Sequence, residues 1–197
     1  DALRTRVDHV DWHRYPDRAA TELRTRLAAH HGVEPEQVFV ANGSNEVMLQ
    51  ILQAFGGPGR TALSFAPTYS MYPEYARDAM TGWVVGHRQE DFSLDVHHAV
   101  AMIRDHLPSV ILLPSPNNPT GTALPLETVR EICDIAPGVV VIDEAYAEFR
   151  RTGTPSALEL LPTTPNLVVS RTMSKAFALA GARLGYLAAS PDICDAL

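Results

Sequence analysis

The sequence predicts an α/β protein whose central sheet is mostly parallel and is flanked by helices. Apolar, β-branched runs alternate along the chain with amphipathic helical patterns, as in successive βαβ units. The clearest strand, Val139–Ile142, is apolar without alternation, which is typical of a strand buried on both faces. The clearest helix runs from about Ser44 to Phe55, has apolar residues at helical spacing and ends at a glycine-rich turn.

The remaining elements follow the same alternation. A helix after Asp17 is closed by Gly32, and a short strand is expected at Gln37–Ala41. Further strands are predicted at Thr61–Phe65, Trp83–His87, Ser109–Leu113, Leu167–Ser170 and Gly185–Ala189, and helices at Tyr69–Met80, Asp95–His106 and Leu126–Ala136. We expect residues 1–32 to form an N-terminal segment and helix, and residues 33–197 to form one α/β domain.

The composition is that of a globular protein, and we expect it in the cytoplasm. Of the 197 residues, 46% are hydrophobic and 20% charged, and no apolar run approaches the ~20 residues that span a bilayer. The formal net charge of −7 argues against nucleic acid or an anionic membrane as the main partner. Cys133 and Cys194 suggest no disulfide framework, and the eight histidines form no metal-binding spacing.

A single lysine stands out among the basic residues. Of 16 basic side chains, 15 are arginine and Lys175 is the exception. Arginine can replace lysine as a surface charge, but it cannot lose a proton and attack a carbonyl. Hydroxyl side chains precede Lys175, and Arg183 follows it. Hydroxyls and a guanidinium are suited to holding a phosphate. Burial and nearby positive charge lower the pKa of a lysine, which keeps its amine reactive. The alternative is a solvated helix start capped by Ser174.

Two further segments place polar groups where predicted strands end. Open α/β sheets bind ligands at the carboxyl ends of their strands. The turn Ala41–Glu46 opens a helix whose free N–H groups suit a phosphate, although a plain cap by Ser44 or Asn45 explains it more simply. Three prolines between residues 114 and 119 fix a loop that presents Asn118, and we expect the Asn118–Pro119 bond to be cis. An ordinary turn is the alternative.

Asp143 ends the strand Val139–Ile142, where a buried carboxylate can pair with a cation. A strand that ends in Asp-Glu is also found in nucleotide hydrolases with a lysine-containing phosphate loop. That interpretation fails, because Lys175 is the only lysine and lies outside any such loop.

Together these segments resemble the fold-type I aminotransferases that depend on pyridoxal 5′-phosphate (PLP), in the order expected of that superfamily. Within it, Arg14–Asp17, Pro67–Tyr72 and Arg171–Ala178 resemble the histidinol-phosphate aminotransferase family. The resemblance implies the PLP-binding large domain of an aspartate aminotransferase-like fold. The N-terminal gating segment and C-terminal small domain of that family have no counterpart in the sequence. We therefore expect a chain truncated at both ends, with little of the substrate site and no activity alone.

The resemblance also implies a role for each site residue. Lys175 would form a Schiff base with PLP and then act as the base, Asp143 would pair with the ring nitrogen, and Tyr146 would hydrogen-bond the ring's phenolic oxygen. Asn118 would bind the same oxygen, and Tyr69 would stack on the ring. The residues implied to hold the phosphate are Ser44, Asn45, Thr172, Ser174 and Arg183. Tyr15 would reach the cofactor phosphate of a neighbouring subunit, so a homodimer is expected.

The implied reaction is transamination between L-histidinol phosphate and 2-oxoglutarate, with glutamate as the donor in the biosynthetic direction. An aromatic amino-acid aminotransferase and a PLP-dependent threonine-phosphate decarboxylase share the same large-domain motifs and remain alternatives. The non-enzyme alternative is the PLP-fold effector domain of a transcriptional regulator. Assays of histidinol phosphate, phenylalanine and threonine phosphate would separate the enzymes, and a DNA-binding domain would indicate the regulator.

Overall fold

A seven-stranded sheet runs through the centre of the protein in the computed structural model, which describes Thr5 and residues 7–197. The strands are β1 Val38–Ala41, β2 Thr61–Ala66, β3 Gly82–His87, β4 Val110–Pro114, β5 Val139–Asp143, β6 Leu167–Thr172 and β7 Gly185–Ala189. Their order is β1-β7-β6-β5-β4-β2-β3. Neighbouring strands are parallel except β7, which is antiparallel to both β1 and β6. The prediction of an α/β fold with a mostly parallel sheet is confirmed.

Helices connect the strands and cover the sheet. They are α1 Thr21–His31, α2 Ser44–Phe55, α3 Tyr72–Asp78, α4 Val96–His106, α5 Leu126–Ile135 and α6 Pro191–Asp195. The carboxylate of Asp17 accepts hydrogen bonds from the backbone N–H groups of Ala19 and Thr21 just before α1, which ends at Gly32 with φ of 70°. The helix predicted after Asp17 and before Gly32 is therefore present, although Ala20, which was expected on its apolar face, precedes it with a left-handed φ of 47°.

Apolar side chains pack on both faces of the sheet. One core includes Met48, Leu112 and Val141, and the other includes Phe65 and Ile142, so successive residues of β5 enter opposite cores. All five residues of β4 and of β5 are buried, as predicted for strands covered on both faces. Full burial of each large side chain contributes about 1.5–3 kcal/mol to the free energy of folding. This packing holds the sheet in place, and it therefore fixes the positions of the strand ends.

The sequence prediction is wrong at several boundaries. The predicted helix Tyr69–Met80 is shorter in the structure, because Tyr69 lies in the preceding loop and Met80 has a left-handed φ of 52°. β6 continues to Thr172, two residues beyond its predicted end. Residues 173–177 form bends and turns, so the alternative of a helix start capped by Ser174 is also wrong.

The proline-rich loop contains the predicted cis bond at Asn118–Pro119. Two further cis bonds, Ala66–Pro67 and Ser115–Pro116, were not predicted. Both cysteines are free and buried. Across the part of the chain that the structure describes, every helix is too short or too polar to cross a membrane.

Candidate functional site

A cavity of about 210 Å³ opens where β4, β5 and β6 end. Because β7 is antiparallel, its amino end lies at the same edge, and the β6–β7 connection borders the cavity. The lining residues are Ser44, Asn45, Tyr69, Pro114, Asn118, Asp143, Ala145, Tyr146, Thr172, Ser174, Lys175, Ala180 and Arg183. The structure thus brings together every site residue named from the sequence except Tyr15.

Tyr15 lies away from this cavity. Its side chain is fully exposed, and Trp12 nearby in the sequence is 79% exposed. Within the described chain, therefore, Tyr15 makes no contribution to the cavity lining.

Asp143 is the buried carboxylate of the cavity. Its Oδ2 accepts a hydrogen bond from the Tyr72 hydroxyl at 2.9 Å, and its Oδ1 accepts bonds from Ser170 Oγ at 3.0 Å and the Ala145 N–H at 3.1 Å. Burial raises the pKa of Asp143, while the hydrogen bonds from Tyr72 and Ser170 oppose that rise. The site therefore holds a desolvated carboxylate whose charged form a positive partner would favour.

The sequence analysis did not identify Tyr72 and Ser170 as hydrogen-bond donors to Asp143. Tyr72 is fully buried at the start of α3, where its spacing is that of an ordinary core residue. A buried tyrosine hydroxyl usually has a hydrogen-bond partner. This tendency is the one signal by which a role for Tyr72 could have been inferred. The partner itself, Asp143, is 71 residues away in the sequence.

The two adjacent asparagines after β4 have different environments. Asn117 is 2% exposed, and its side-chain amide donates hydrogen bonds to the Pro67 carbonyl at 3.1 Å and to Thr120 Oγ1 at 2.7 Å. Asn118 lines the cavity instead. Asn117 thus ties the loop to the neighbouring turn, and this fixes the backbone from which Asn118 extends.

Lys175 lies at the edge of the cavity. Its Nζ is 5.4 Å from the centroid of the Tyr146 ring, within the range of a cation–π interaction. The burial expected for this lysine is contradicted, because Lys175 and the residues that follow it up to Arg183 are exposed. These residues are exposed because the connection between β6 and β7 lies over the strand ends and not within the sheet.

Arg183 is held beside the start of α2. Its guanidinium donates hydrogen bonds to the carbonyls of Ala180 at 2.9 Å and Asn42 at 3.2 Å. Gly43 has φ of 95°, and a Cβ at this position would be 2.4 Å from Arg183 Nη2. A Cβ at Gly185 would be 2.2 Å from the Ser44 nitrogen. The two glycines allow the guanidinium, β7 and the N-terminus of α2 to meet, and these groups favour an anion.

A buried ion pair involves Glu144, the residue that follows Asp143. The Glu144 carboxylate contacts Arg171 Nη2 at 2.5 Å and accepts hydrogen bonds from Ser156 Oγ at 2.8 Å and from the Ala157 N–H at 2.7 Å. Arg171 also contacts Glu148 at 3.1 Å. This network links β5 and β6 just behind the cavity, and the sequence analysis did not identify it.

Over Thr5 and residues 7–197, no three His, Cys, Asp or Glu side chains are grouped so that they could hold a metal ion.

Comparisons with known proteins agree on one family. The family model for class I and II aminotransferases matches residues 1–197. Histidinol-phosphate aminotransferase from Thermobifida fusca (strain YX) is 64% identical over 190 residues, which cover 95% of this chain and 52% of the relative. Histidinol-phosphate aminotransferase 3 from Burkholderia lata is 58% identical over 190 residues, with coverages of 93% and 51%. The chain spans about half the length of these curated relatives.

A solved structure extends the comparison to the fold. Histidinol-phosphate aminotransferase from Sinorhizobium meliloti, in complex with pyridoxal 5′-phosphate, matches with a TM-score of 0.89 at 27% identity. The match covers 99% of this chain and 53% of that one. The prediction of an aspartate aminotransferase-like α/β fold is therefore confirmed.

Proposed function

Because the chain belongs to the class I and II aminotransferase family, we propose that the protein containing it transfers an amino group between L-histidinol phosphate and 2-oxoglutarate. The observation that carries the proposal is the convergence of the single lysine, a buried carboxylate and several anion-binding groups on one cavity. The names of the curated relatives support the substrate, and they do not favour an aromatic aminotransferase or a threonine-phosphate decarboxylase.

The groups around the cavity fit PLP as the cofactor. The N-terminus of α2 follows Gly43, which has no side chain to cap it, so its N–H groups are suited to a phosphate. The hydroxyls of Ser44, Thr172 and Ser174 and the guanidinium of Arg183 border the same cavity. Asp143 supplies a buried carboxylate for a protonated ring nitrogen. The cavity therefore offers a partner for each charged part of the cofactor.

In this proposal the residues of the chain divide the chemistry between them. When bound, PLP supplies an electron sink for the negative charge that develops on the substrate α-carbon. Asp143 would hold the proton at the ring nitrogen, and Tyr146 and Asn118 would orient the ring through its phenolic oxygen. Tyr69 covers one face of the ring. Lys175 would hold the cofactor through its Nζ, and this nitrogen, once released from that bond, would remove the proton from the substrate α-carbon.

The proposal includes a homodimer in the cytoplasm. Tyr15 is fully exposed and lies outside the cavity lining of its own chain. This exposure supports a role in which Tyr15 reaches the cofactor phosphate of a second copy. The two free, buried cysteines are compatible with a reducing compartment.

The function is tested with the full-length protein loaded with PLP. We expect steady turnover of histidinol phosphate with 2-oxoglutarate, with kcat/KM at least about 100-fold higher than for phenylalanine, since a site that binds a polar group discriminates strongly against a substrate that lacks it. Threonine phosphate should release no carbon dioxide. Preference for either alternative substrate would replace the proposed reaction, and binding of DNA without turnover of any substrate would favour the regulator.

Replacement of Gly43 by alanine tests the proposed phosphate site. The new Cβ would displace the Arg183 guanidinium, and loss of a charge-assisted hydrogen bond of about 1.5–3 kcal/mol should weaken PLP binding roughly 10- to 100-fold. Spectroscopic titration of the apoprotein with PLP measures this change.

The matched control for that variant is Gly57→Ala. Gly57 also has a positive φ, of 116°, but a Cβ there meets no described atom within 4 Å. The control therefore reproduces the backbone strain without the clash, and its PLP affinity should stay near that of the unmodified protein. Equal losses in both variants would assign the effect to strain and remove Arg183 from the proposed phosphate site.

A further inference from the structure

The carboxylate of Asp143 is held from two sides. Ser170 and the Ala145 N–H both donate to Oδ1, whereas the Tyr72 hydroxyl donates to Oδ2. These bonds fix the rotation of the carboxylate about its side-chain axis, because donors from three different positions must be satisfied together. The Tyr72 hydroxyl is the side-chain donor that α3 contributes.

Tyr72 lies behind the cavity and contacts two of the residues that line it. Its hydroxyl reaches Asp143, and its ring packs edge-on against Tyr69, with centroids 5.4 Å apart and an interplanar angle of 86°. Tyr72 is fully buried and is not one of the lining residues. It therefore acts on the cavity through its neighbours.

The direction of the hydrogen bond between Tyr72 and Asp143 is fixed by their environments. Burial and the adjacent carboxylate raise the pKa of Tyr72 well above its usual value, so its hydroxyl keeps the proton and donates it. Burial raises the pKa of Asp143, and the bond from Tyr72 is the largest influence that opposes this rise. Loss of the hydroxyl would therefore make the carboxyl easier to protonate.

We propose that Tyr72 is a positioning residue for Asp143, whose hydroxyl keeps the carboxylate ionised and oriented toward the ring nitrogen of the cofactor. The inference rests on the proposed function, since it concerns the same cavity. Its physical basis is that a desolvated carboxylate is stabilised as an anion by each hydrogen bond that it accepts.

Other ionisable groups also act on this pair. Glu144 follows Asp143 directly after β5, and its negative charge favours the protonated form of the Asp143 carboxyl. Tyr69 and Tyr75 contribute phenol groups near Tyr72, and the positive charge of Arg88 interacts with Tyr72. Lys175 lines the same cavity as Asp143. Substitution of Tyr72 by phenylalanine leaves all of these groups in place.

The test compares Tyr72→Phe with Tyr75→Phe in the full-length protein. Tyr75 lies on the same helix and is 6% exposed, and within the described chain its hydroxyl makes no hydrogen bond to Asp143. The readout is the pH midpoint at which the absorption band of bound PLP changes. A less ionised carboxyl leaves the ring nitrogen less positive, so the absorption band should change at higher pH.

We expect Tyr72→Phe to move this midpoint upward by about one pH unit and to lower kcat about tenfold, the effect of one hydrogen bond to a charged group. Tyr75→Phe should move the midpoint much less, because the Tyr75 hydroxyl makes no hydrogen bond to Asp143. An unchanged midpoint in Tyr72→Phe, or equal shifts in both variants, would overturn the proposal.

Unfolding of the apoprotein separates this inference from the proposed function. Asp143 has a raised pKa in the folded state, so its charging weakens stability as the pH rises above 3.8, its usual value. Tyr72→Phe raises that pKa further, and its stability loss relative to the unmodified protein should grow with pH. Failure of the unmodified protein to bind PLP would defeat the proposed function, whereas a pH-independent loss would defeat the coupling of Tyr72 to Asp143.

Discussion

Replacement of Lys175 by alanine in the full-length protein is expected to lower kcat by about 10⁴-fold or more. Lys175 is the only lysine of the chain and borders the cavity that contains Asp143 and Tyr146. The variant loses both the covalent anchor and the base at one position. Borohydride treatment of the PLP-loaded protein, followed by peptide mapping, should label Lys175 in the unmodified protein and leave the variant unlabelled at residue 175.

The informative control for this variant is Lys175→Arg, which keeps the positive charge near the Tyr146 ring. Arginine does not lose its proton at accessible pH and cannot take the place of the amine. We therefore expect the same loss of kcat and of labelling as in Lys175→Ala. Recovery of activity in the arginine variant to within tenfold of the unmodified protein would show that charge alone is required, and it would contradict the proposed covalent role.

Replacement of Arg171 by alanine is expected to reduce the free energy of unfolding by about 3–5 kcal/mol. The guanidinium contacts Glu144 at 2.5 Å, and both side chains are less than 10% exposed. Removal of one partner leaves a buried carboxylate without its counter-charge, which costs more than the loss of the contact itself. Urea denaturation of the apoprotein, followed by circular dichroism, measures the change.

The control for the buried pair is Arg26→Ala, which breaks a pair on the surface of α1. Arg26 contacts Glu22 at 2.6 Å, but the two side chains are 67% and 75% exposed. Exposed pairs of this kind contribute about 0.3–0.5 kcal/mol, so the control should remain close to the unmodified protein. Similar small losses in both variants would mean that water reaches Glu144 when Arg171 is removed.

The elements that the sequence predicted best are those with strong local signals. α2 was predicted with its observed bounds because apolar spacing and flanking glycines mark it independently of the rest of the chain. The prediction for α3 was too long, because its apolar pattern continues through Tyr69 and Met80 while the backbone does not. The antiparallel direction of β7 is seen in its pairing with both β6 and β1, and the apolar pattern of residues 185–189 does not specify the direction of the strand.

Local signals also explain why only part of the candidate site was predicted. Residues at the ends of predicted strands, such as Asn118 and Asp143, were found because strand ends meet at one edge of the sheet. The roles of Tyr72 and Arg171 were missed, because each depends on a long-range contact between side chains. The exposure of Lys175 was also missed, since the sequence does not reveal the path of a loop.

The pairing of β1 with β7 has a consequence for the order in which the protein assembles during synthesis. β1 is at the edge of the described sheet, and its partner there is β7. The ribosome makes β1 first of the seven strands and β7 last, so β1 cannot join the sheet until residues 185–189 have emerged. The connection that carries Lys175 and Arg183 closes in the same step. A nascent chain should therefore acquire its sheet core before it acquires the anion-binding end of the cavity.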